Sequence, residues 1–382
     1  MMVEMSPQTL AAWTASDDVA LLRNMLAIFT PSGAERPLTE WLVTQLAPLG
    51  FSAEVDAVGN LIAVLPATVS RPAAPCVLLG HADTVRGEIP IRQAGDLLYG
   101  RGAVDAKGPL ATFIAATIRL ARSGAPRQRP IIIVGAVEEE AATSRGARAV
   151  LDRWRPAYVV IGEPSGAHAL TLGYKGRLLV SLRIEQAVAH TARPEMSAPA
   201  RGVALWGTVA LQATEWNAIH LAADEPAPAF AALQPSLRGI QSGSDGFTDW
   251  CELLVGYRLP PLCDIAALEA WLTELAESHG ATLCFGGAEV AWQGTTSGPL
   301  VSAFVRALRS EGVAPSFKRK TGTSDMNVVA PVWQCPILAY GPGDAALDHT
   351  PNEHIALSEY AAAIGVLTHV LAELTAEGLE RT

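Results

Sequence analysis

The stretch CVLLGHADTV, from Cys76 to Val85, decides the fold of this chain. Its first four residues are apolar, which is typical of a strand buried on both faces of a sheet. His81 follows directly after the strand and its glycine, and Asp83 comes two residues later. In sheets of parallel strands, ligands bind beyond the carboxyl ends of the strands. The stretch therefore predicts a buried parallel strand with a functional site at its end.

Patterns on both sides of this strand predict the rest of the sheet. Further apolar runs that are typical of strands cover residues 60–65, 131–137 and 158–161. Helical periodicity covers residues 17–29, 37–49, 109–121 and 144–154. Strands that alternate with helices predict an α/β fold, in which a mostly parallel sheet is covered by helices.

The pattern changes at about residue 173, where a compact α+β region begins. Its predicted strands are residues 177–185, 252–258 and 282–285, and its predicted helices are residues 202–221 and 265–278. The α/β pattern resumes with a helix at residues 300–310, a strand at 337–340 and a helix at 358–374. We therefore expect a first domain in two parts, residues 1–172 and 291–382, with an α+β domain, residues 173–290, inserted between them.

Composition and charge exclude several classes of protein. Of the 382 residues, 49% are apolar and 17% are charged, as in folded globular chains. A formal net charge of −10 disfavours nucleic-acid binding, which needs a basic surface. The first residues lack the basic start of a secretory signal, and no apolar stretch approaches the roughly 18 residues of a membrane span. Five scattered cysteines without CxxC spacing favour a reducing compartment, so we expect a cytoplasmic protein without membrane or nucleic-acid partners.

Five segments together contain the ligands of a dinuclear metal site. They are GHADTV (80–85), GRGAVDAKG (100–108), AVEEE (136–140), IGEPS (161–165) and LDHTPNE (347–353). Two neighbouring cations need a bridging carboxylate, and Asp105 in its glycine-rich loop suits that role. His81 and Glu163 would complete the shell of one metal, and Glu140 and His349 that of the other. One coordination position stays open for water, as catalysis requires.

Two further acids adjoin these ligands. Asp83 can accept the free ring N–H of His81, which fixes the tautomer and strengthens the ligand. Glu139 can reach the water held by the metals and act as general base, taking its proton and later passing it to the leaving amine. Taken singly, such residues are more often turn, cap or structural residues. Their joint occurrence at strand ends, in one order, favours the metal site.

The five segments resemble those of M20-type metallopeptidases and deacylases, the group that includes acetylornithine deacetylase and succinyl-diaminopimelate desuccinylase. The resemblance covers nearly the whole chain. It implies a zinc-peptidase-like catalytic domain, an inserted dimerisation domain, a homodimer, and amide hydrolysis with two divalent zinc or cobalt ions in each subunit. The ligand pattern of the family falls on His81, Asp105, Glu140, Glu163 and His349, with Glu139 as the base.

One part of that pattern leaves an alternative open. The family usually has an aspartate before a pair of glutamates, whereas this chain has three glutamates in a row. Placing Glu138 on the aspartate puts Gly146 where a related glycine is expected. The base and the ligand could instead be Glu138 and Glu139.

Two segments are most similar to one subgroup of the family, the amino-carrier-protein lysine and ornithine hydrolases. They are LGYKGR (172–177) and KTGTSDMN (320–327). The resemblance implies a substrate in which the α-amino group of lysine or ornithine is joined to the γ-carboxyl of the carrier's terminal glutamate, as in lysine or arginine biosynthesis. The carrier would be acidic, so we expect a basic rim beside the cleft. Its candidates are Lys175, Arg177, Lys318, Arg319 and Lys320.

Three residues are candidates for substrate binding. AHTARP (189–194) is similar to the family segment whose histidine reaches the neighbouring subunit's site, so His190 would help to stabilise the oxyanion. Arg258 resembles the family's arginine for the substrate carboxylate, and Asp325 would recognise a substrate amine. Ordinary surface or turn roles stay open for all three. The alternative functions are an N-acetyl-lysine or acetylornithine deacetylase, a small dipeptidase, and a catalytically silent binding protein.

Overall fold

The structure, a computed structural model, describes residues 9–190, 194–222, 224–225 and 228–376. Its helices are α1 (Ala15–Ala27), α2 (Arg36–Leu46), α3 (Lys107–Arg122), α4 (Arg145–Ala149), α5 (Ala198–His220), α6 (Pro228–Ala231), α7 (Ile265–Ser278), α8 (Pro299–Ser310), α9 (Asp325–Trp333) and α10 (Leu357–Thr375). Its strands are β1 (Ser52–Val55), β2 (Leu61–Leu65), β3 (Cys76–His81), β4 (Arg92–Ala94), β5 (Leu97–Tyr99), β6 (Ile131–Ala136), β7 (Tyr158–Gly162), β8 (Ala169–Tyr174), β9 (Gly176–Ala187), β10 (Gln234–Ser244), β11 (Thr248–Leu259), β12 (Ala281–Glu289), β13 (Trp292–Gln293), β14 (Ser316–Lys320), β15 (Ile337–Ala339) and β16 (His354–Ala356).

The chain divides into two compact units. The first unit contains Met1–Gly173, Gly294–Lys318 and Val328–Thr382, so it is interrupted in the sequence. The second unit contains Tyr174–Gln293 and Arg319–Asn327. The short segment Arg319–Asn327 lies within residues 291–382, which the sequence pattern predicts to belong to the first domain. In the structure, this segment belongs to the second unit.

The sheet of the first unit includes, in order, the strands β1, β2, β6, β3, β7, β15 and β8. The four strands β6, β3, β7 and β15 are parallel, whereas β1, β2 and β8 pair antiparallel with their neighbours. Every residue of β3 and of β6 is buried, which requires cover on both faces of the sheet. The predicted fold class, a mostly parallel α/β sheet with helices, is confirmed.

Helix α3 packs against the centre of this sheet, where two strands carry glycines. A Cβ on Gly162 of β7 would lie 3.0 Å from the ring of Phe113. A Cβ on Gly80 of β3 would lie 3.4 Å from Leu110, so both strands leave room for the helix. Asp105 comes two residues before the start of α3. The close approach of α3 therefore brings the Asp105 loop to the carboxyl ends of β3 and β7.

Helix α10 corrects one sequence prediction. It is 19 residues long with a mean hydropathy of 1.2, so length and composition alone would allow it to cross a membrane. No stretch of this length was predicted, because polar residues within α10 interrupt its apolar run. Tyr360, Ile364, Leu367 and Leu371 of α10 are buried in the hydrophobic core of the first unit. The burial of these side chains is typical of a helix in a protein core.

A small antiparallel sheet joins two loops of the first unit. Its strand order is β16, β5, β4, and His354 of β16 lies opposite Tyr99 of β5. The sheet therefore sets the glycine-rich loop that follows β5 beside the residues that precede β16. The first of these two segments contains Asp105 and the second contains His349.

The second unit is a four-stranded antiparallel sheet with helices packed on it. The strand order is β10, β11, β9, β12, and α5 and α7 contact this sheet. Its core includes Leu182, Leu205, Leu253 and Leu272. Strand β10 was not predicted, because its sequence QPSLRGIQSGS has few apolar residues and most of its side chains are partly or fully exposed.

Candidate metal centre

The site is built at the carboxyl ends of the parallel strands of the first unit. His81 is the last residue of β3, Glu139 and Glu140 follow β6, and Glu163 follows β7. Because these three strands are parallel neighbours, their ends lie along one edge of the sheet. His349 reaches the same place from the turn before β16, in a left-handed backbone conformation with a φ of 62°.

His81 is held in a fixed orientation at the base of the site. The ring is 1% exposed, and its Nδ1 lies 3.0 Å from the main-chain oxygen of Asp83 and 3.3 Å from Asp83 Oδ1. Its other nitrogen, Nε2, lies 3.0 Å from Asp105 Oδ1. The contacts of Nδ1 with Asp83 leave Nε2 directed at the carboxylate of Asp105. Histidines that bind a metal through one ring nitrogen usually donate the other ring N–H to a neighbouring oxygen in this way.

Asp105 lies between the two histidines. Its Oδ2 is 3.0 Å from His349 Nε2, and that nitrogen is also 3.0 Å from Glu140 Oε1. Two sets of potential donor atoms result, each within 4.8 Å: His81, Asp105 and Glu163 form one, and Asp105, Glu140 and His349 form the other. The carboxylate of Asp105 is common to both sets, as a bridging ligand would be.

The donor atoms fit two borderline divalent cations. Each set offers one imidazole nitrogen and two carboxylates, the ligands that zinc and cobalt accept. His81 and Glu163 are buried, whereas the His349 side chain is 50% exposed, so one side of the centre is accessible to a substrate.

The charges of these groups are strongly coupled. Burial alone would lower the pKa of His81, but hydrogen bonds to Asp105 and Asp83 outweigh burial and leave the pKa well above 6.5. Hydrogen bonds to Asp105 and Glu140 raise the pKa of His349 to about 10. Burial would raise the pKa of Asp105, yet hydrogen bonds from His349 and His81 hold it below its ordinary value. Metal ions would replace the protons on both imidazoles, because a histidine ligand must be neutral.

The carboxylate of Asp83 fixes the loop that follows β6. It is fully buried, and its Oδ1 and Oδ2 accept the main-chain N–H groups of Glu139 and Glu140, each at 3.1 Å. Ser32 donates its hydroxyl to Oδ2 at 2.7 Å. Asp83 therefore touches His81 on one side and orders the two glutamates on the other.

Glu138 faces away from the donor sets. Its main-chain N–H donates to the buried carboxylate of Glu35 at 3.0 Å, and its φ is 58°. Its own carboxylate pairs with Arg145 at 2.9 Å and accepts the hydroxyl of Thr143 at 2.8 Å. Of the two glutamate pairs that the sequence left open, this geometry favours Glu139 and Glu140.

Gly146 packs directly against this loop. A Cβ at this position would lie 2.4 Å from both the main-chain nitrogen of Val137 and Oδ1 of Asn60, so a side chain cannot be accommodated. The Asn60 amide bridges the two segments, accepting from Val137 N and donating to Gly146 O, each at 3.0 Å. The glycine allows the main chain after β6 to turn back closely enough to present Glu139 and Glu140.

The two subgroup motifs come together within the second unit. The main-chain N–H of Lys175 donates to Lys320 O at 3.2 Å, and the Thr323 hydroxyl donates to Lys175 O at 2.9 Å. Arg258, which is exposed and lies opposite Arg177 in the sheet, donates to Thr323 Oγ1 at 2.9 Å. LGYKGR, KTGTSDMN and the candidate arginine thus form one region.

Lys175 is not a residue of a basic rim, which corrects the sequence analysis. Its side chain is fully buried, and its Nζ donates to Gln234 Oε1 at 2.8 Å and to the main-chain oxygens of Ala229 and Ala232. Burial, assisted by the charge of Arg258, lowers its pKa to about 8. Three acceptors satisfy this ammonium internally, so it is not available to a partner.

The other predicted residues of the second unit occupy different surroundings. His190 is exposed and borders a cavity of about 520 Å³ together with Glu195, Arg201 and Asp249. Residues 191–193 of the AHTARP segment lie outside the described residues. Asp325, the first residue of α9, is 2% exposed.

Sequence reasoning gave no role to three buried residues around the metal centre. Glu35 holds the main chain of Glu138, and Arg101 and Glu353 form a buried ion pair behind the Asp105 loop. Glu353 lies within the LDHTPNE segment, four residues after His349. Its position in that segment was the available signal, but its partner Arg101 lies far away in the sequence.

Comparison with known proteins identifies the family. The model described as "Peptidase family M20/M25/M40" matches residues 77–373. The chain belongs to peptidase family M20. A relative in Deinococcus radiodurans named LysW-lysine hydrolase is 43% identical over 360 residues, 93% of this chain and 96% of that one. A relative in Thermococcus kodakarensis, provisionally named LysW-lysine/LysW-ornithine hydrolase, is 36% identical over 366 residues, 94% of this chain and 93% of that one.

A solved structure of the M20 family shares the fold. It is a dinuclear metal-binding peptidase from Bacillus subtilis, which superposes with a TM-score of 0.66 at 13% identity and covers 94% of this chain and 98% of that one. The resemblance drawn from the motifs is thereby confirmed. M20 proteins bind two metals, and the donor sets around Asp105 are a candidate site for them. This chain is a metal-dependent amide hydrolase.

Proposed function

We propose that this M20 enzyme releases lysine from the γ-carboxyl of the terminal glutamate of an acidic amino-group carrier protein, as a step of cytoplasmic lysine or arginine biosynthesis. The observation that carries the proposal is the 43% identity, over 93% of the chain, to the protein named LysW-lysine hydrolase. The contacts that join LGYKGR to KTGTSDMN support it, because both subgroup motifs take part in one region. We propose ornithine as the second substrate. It is one methylene shorter than lysine, and a pocket discriminates against a missing methylene by only about 1–3 kcal/mol.

We assign two metal ions, zinc or cobalt, to the two donor sets. His81 and Glu163 would hold one ion, Glu140 and His349 the other, and Asp105 both. When bound, such ions polarise an amide carbonyl and bring the pKa of a water molecule towards neutrality. The accessible side at His349 leaves room for the scissile amide.

We assign the proton transfers to Glu139. Asp83 fixes the main chain of Glu139, and the charge of Glu139 acts on His81, so its carboxylate lies beside the donor atoms. It would take a proton from the attacking water and deliver it to the α-amine of the departing lysine. Without that proton, the amine is a poor leaving group.

Substrate recognition is assigned to three residues of the second unit. The guanidinium of Arg258, exposed and oriented by Thr323, would pair with the α-carboxylate of the amino acid. Asp325 would accept the side-chain ammonium, and His190 would donate to the oxyanion. Arg177, Lys318, Arg319 and Lys320 remain candidates for attracting the acidic carrier.

We propose a homodimer formed through the second unit. Helix α5 exposes Val203, Leu211 and Ile219, which are 60%, 57% and 78% accessible. Large apolar side chains at this exposure mark an interaction surface. Leu211→Asp should convert the dimer to a monomer in light-scattering measurements, whereas Thr273→Asp, at an exposed position of helix α7, serves as a control. A wild-type monomer at micromolar concentration would exclude the dimer.

The experiment that tests the function measures amino-acid release from lysine-charged and ornithine-charged carrier protein, with N-acetyl-lysine as the small substrate. Metal-free enzyme is assayed alone, with zinc, with cobalt and after chelation. Chelator-sensitive release that is much faster from the carrier than from N-acetyl-lysine supports the proposal and ranks the two amino acids. Equal or faster cleavage of N-acetyl-lysine would assign the enzyme to the general deacylases.

A further inference from the structure

One buried ion pair lies behind the loops that carry the proposed metal ligands. Arg101 Nη1 is 2.8 Å from Glu353 Oε2, and the two side chains are 7% and 1% exposed. Neither residue belongs to the donor sets found among the described residues. A buried ion pair seldom adds much stability by itself, so its position calls for a role beyond stability.

The small sheet of the first unit brings the two partners together. Because His354 lies opposite Tyr99, the residue before β16 and the residues after β5 are neighbours. The main-chain N–H of Gly100 donates to Glu353 O at 3.3 Å, which continues the pairing for one more residue. Glu353 is therefore anchored through its main chain, and its side chain points beneath the glycine-rich loop.

The carboxylate of Glu353 holds the main chain of the proposed bridging ligand. Its Oε1 accepts the N–H of Val104 at 2.9 Å and the N–H of Asp105 at 3.1 Å. Its Oε2 is occupied by Arg101, and Arg101 Nε donates to Gly87 O at 2.9 Å. Gly87 lies in the loop between β3 and β4, which follows His81, so one pair links three loops.

We propose that Glu353 is a positioning residue of the dinuclear centre. Glu353 lies four residues after His349 and accepts the N–H of Asp105. It thereby fixes the distance between the carboxylate of Asp105 and the LDHTPNE segment, which carries His349. Arg101 pairs with the buried carboxylate and extends the link to the loop that follows His81. The inference rests on the proposed ligand set, and it predicts that Glu353 controls metal affinity without touching metal.

Glu353→Gln tests this role with little change in size. The new amide must direct its NH₂ group either at Arg101 or at the two main-chain N–H groups, so a donor faces a donor in both orientations. Loss of an outer partner of a metal ligand typically costs about 10–100-fold in affinity. We expect a loss in that range for both ions, because Asp105 belongs to both donor sets. The bands of bound cobalt(II) in the visible spectrum should shift as the ligand geometry loosens.

The measurement is a cobalt(II) titration of metal-free protein in competition with a chelator, followed by visible absorption, with circular dichroism to verify the fold. Glu40→Gln is the matched control, since it makes the same change in the exposed pair of Glu40 with Arg36. It should leave both affinity and spectrum at wild-type values. A protein with a merely structural Glu353 would lose thermal stability but keep the cobalt spectrum and affinity.

The outcomes separate this inference from the proposed function. If wild-type protein fails to bind two cobalt ions, or if His81→Ala binds them as well as wild type, the proposed ligand set is wrong. If wild type binds two ions and folded Glu353→Gln binds them equally well with the same spectrum, the positioning role is overturned. Should Glu353→Gln not fold, Arg101→Lys keeps the buried cation and shortens its reach. It should weaken cobalt binding by a smaller factor, and wild-type affinity in that variant would refute the proposal.

Discussion

Replacing Asp83 by Asn is the sharpest test of how the centre is held together. In the wild-type protein, four donors converge on the two oxygens of this buried carboxylate: His81 and the N–H of Glu139 at Oδ1, and Ser32 and the N–H of Glu140 at Oδ2. Asparagine keeps the shape but offers one oxygen and one NH₂ group. Whichever way the amide turns, a main-chain N–H of Glu139 or Glu140 must face a donor.

The structure sets the size of the effect. One buried N–H without an acceptor costs about 1–3 kcal/mol. Hydrogen bonds to an ionised acceptor are about twice as strong as neutral ones, so weakening the remaining bonds adds about 1 kcal/mol. We expect a total loss of about 2–4 kcal/mol in the free energy of unfolding of the metal-free protein. Activity on charged carrier should fall about 10–100-fold, because Asp83 orients both His81 and the glutamate loop.

The assay is urea unfolding of metal-free wild-type and Asp83→Asn protein, followed by circular dichroism, together with lysine release after metal is restored. Asp245→Asn provides a control, since Asp245 also accepts two main-chain N–H groups, those of Phe247 and Thr248, but in an exposed hairpin of the second unit. Its urea midpoint should stay close to that of wild type. A midpoint for Asp83→Asn equal to that of Asp245→Asn would refute the account of Asp83 as the organiser of the loop.

Three further changes test other parts of the molecule. Glu139→Gln should bind cobalt(II) as wild type does yet release lysine about 100- to 10,000-fold more slowly, as expected for loss of a general base; near-normal turnover would remove Glu139 from the mechanism. Gly146→Ala should lower both the thermal midpoint and activity, because its Cβ would overlap Val137 N at 2.4 Å, whereas Gly207→Ala, with no atom within 4 Å, should be tolerated. The pKa of Lys175 is about 8 in the folded protein and an ordinary 10.5 in the unfolded chain. Between these two pH values, the unfolded chain binds more protons than the folded protein. The urea midpoint should therefore rise as the pH is raised from about 8 to 10.5. Lys175→Met should remove that rise, and an unchanged pH profile would show that Lys175 is not the titrating group.

The sequence predicted the elements whose residues carry their own signal. Helix α7 was predicted at residues 265–278 from its sequence pattern and is found at Ile265–Ser278. The buried strands β2, β3, β6 and β7 were recognised from their continuous apolar runs. Helix α4 was predicted to extend over residues 144–154 but ends at Ala149. Residues 150–153 continue as turns and not as helix.

The elements that were missed depend on contacts with distant residues. Strand β16 is three residues long, and its partner β5 lies more than half of the chain away in the sequence. Helix α9 contains Pro331, which sequence rules read as an interruption.

The candidate site also contains residues that the sequence reveals and residues whose roles appear only in the fold. Residue types, strand-end positions and the family resemblance selected His81, Asp105, Glu163 and His349 as proposed ligands, whereas the choice between Glu139 and Glu140 stayed open. The burial of Lys175 was not predictable, because its three acceptors are oxygens that come together only in the folded unit. The roles of Glu35 and Glu353 were equally hidden, since each recognises main-chain N–H groups, which every residue type possesses apart from proline.

The interrupted first unit has a consequence for how the enzyme is made. Strand β15 enters the sheet between β7 and β8, and His349 completes one donor set, yet both are translated only after the whole second unit. A chain emerging from the ribosome can present His81, Asp105, Glu140 and Glu163 long before these partners exist. The nascent protein therefore carries a cluster of three acids and one histidine during synthesis, and its second metal set forms only when the last strands arrive. Assembly of the second donor set, unlike that of the first, therefore waits for the last part of the chain.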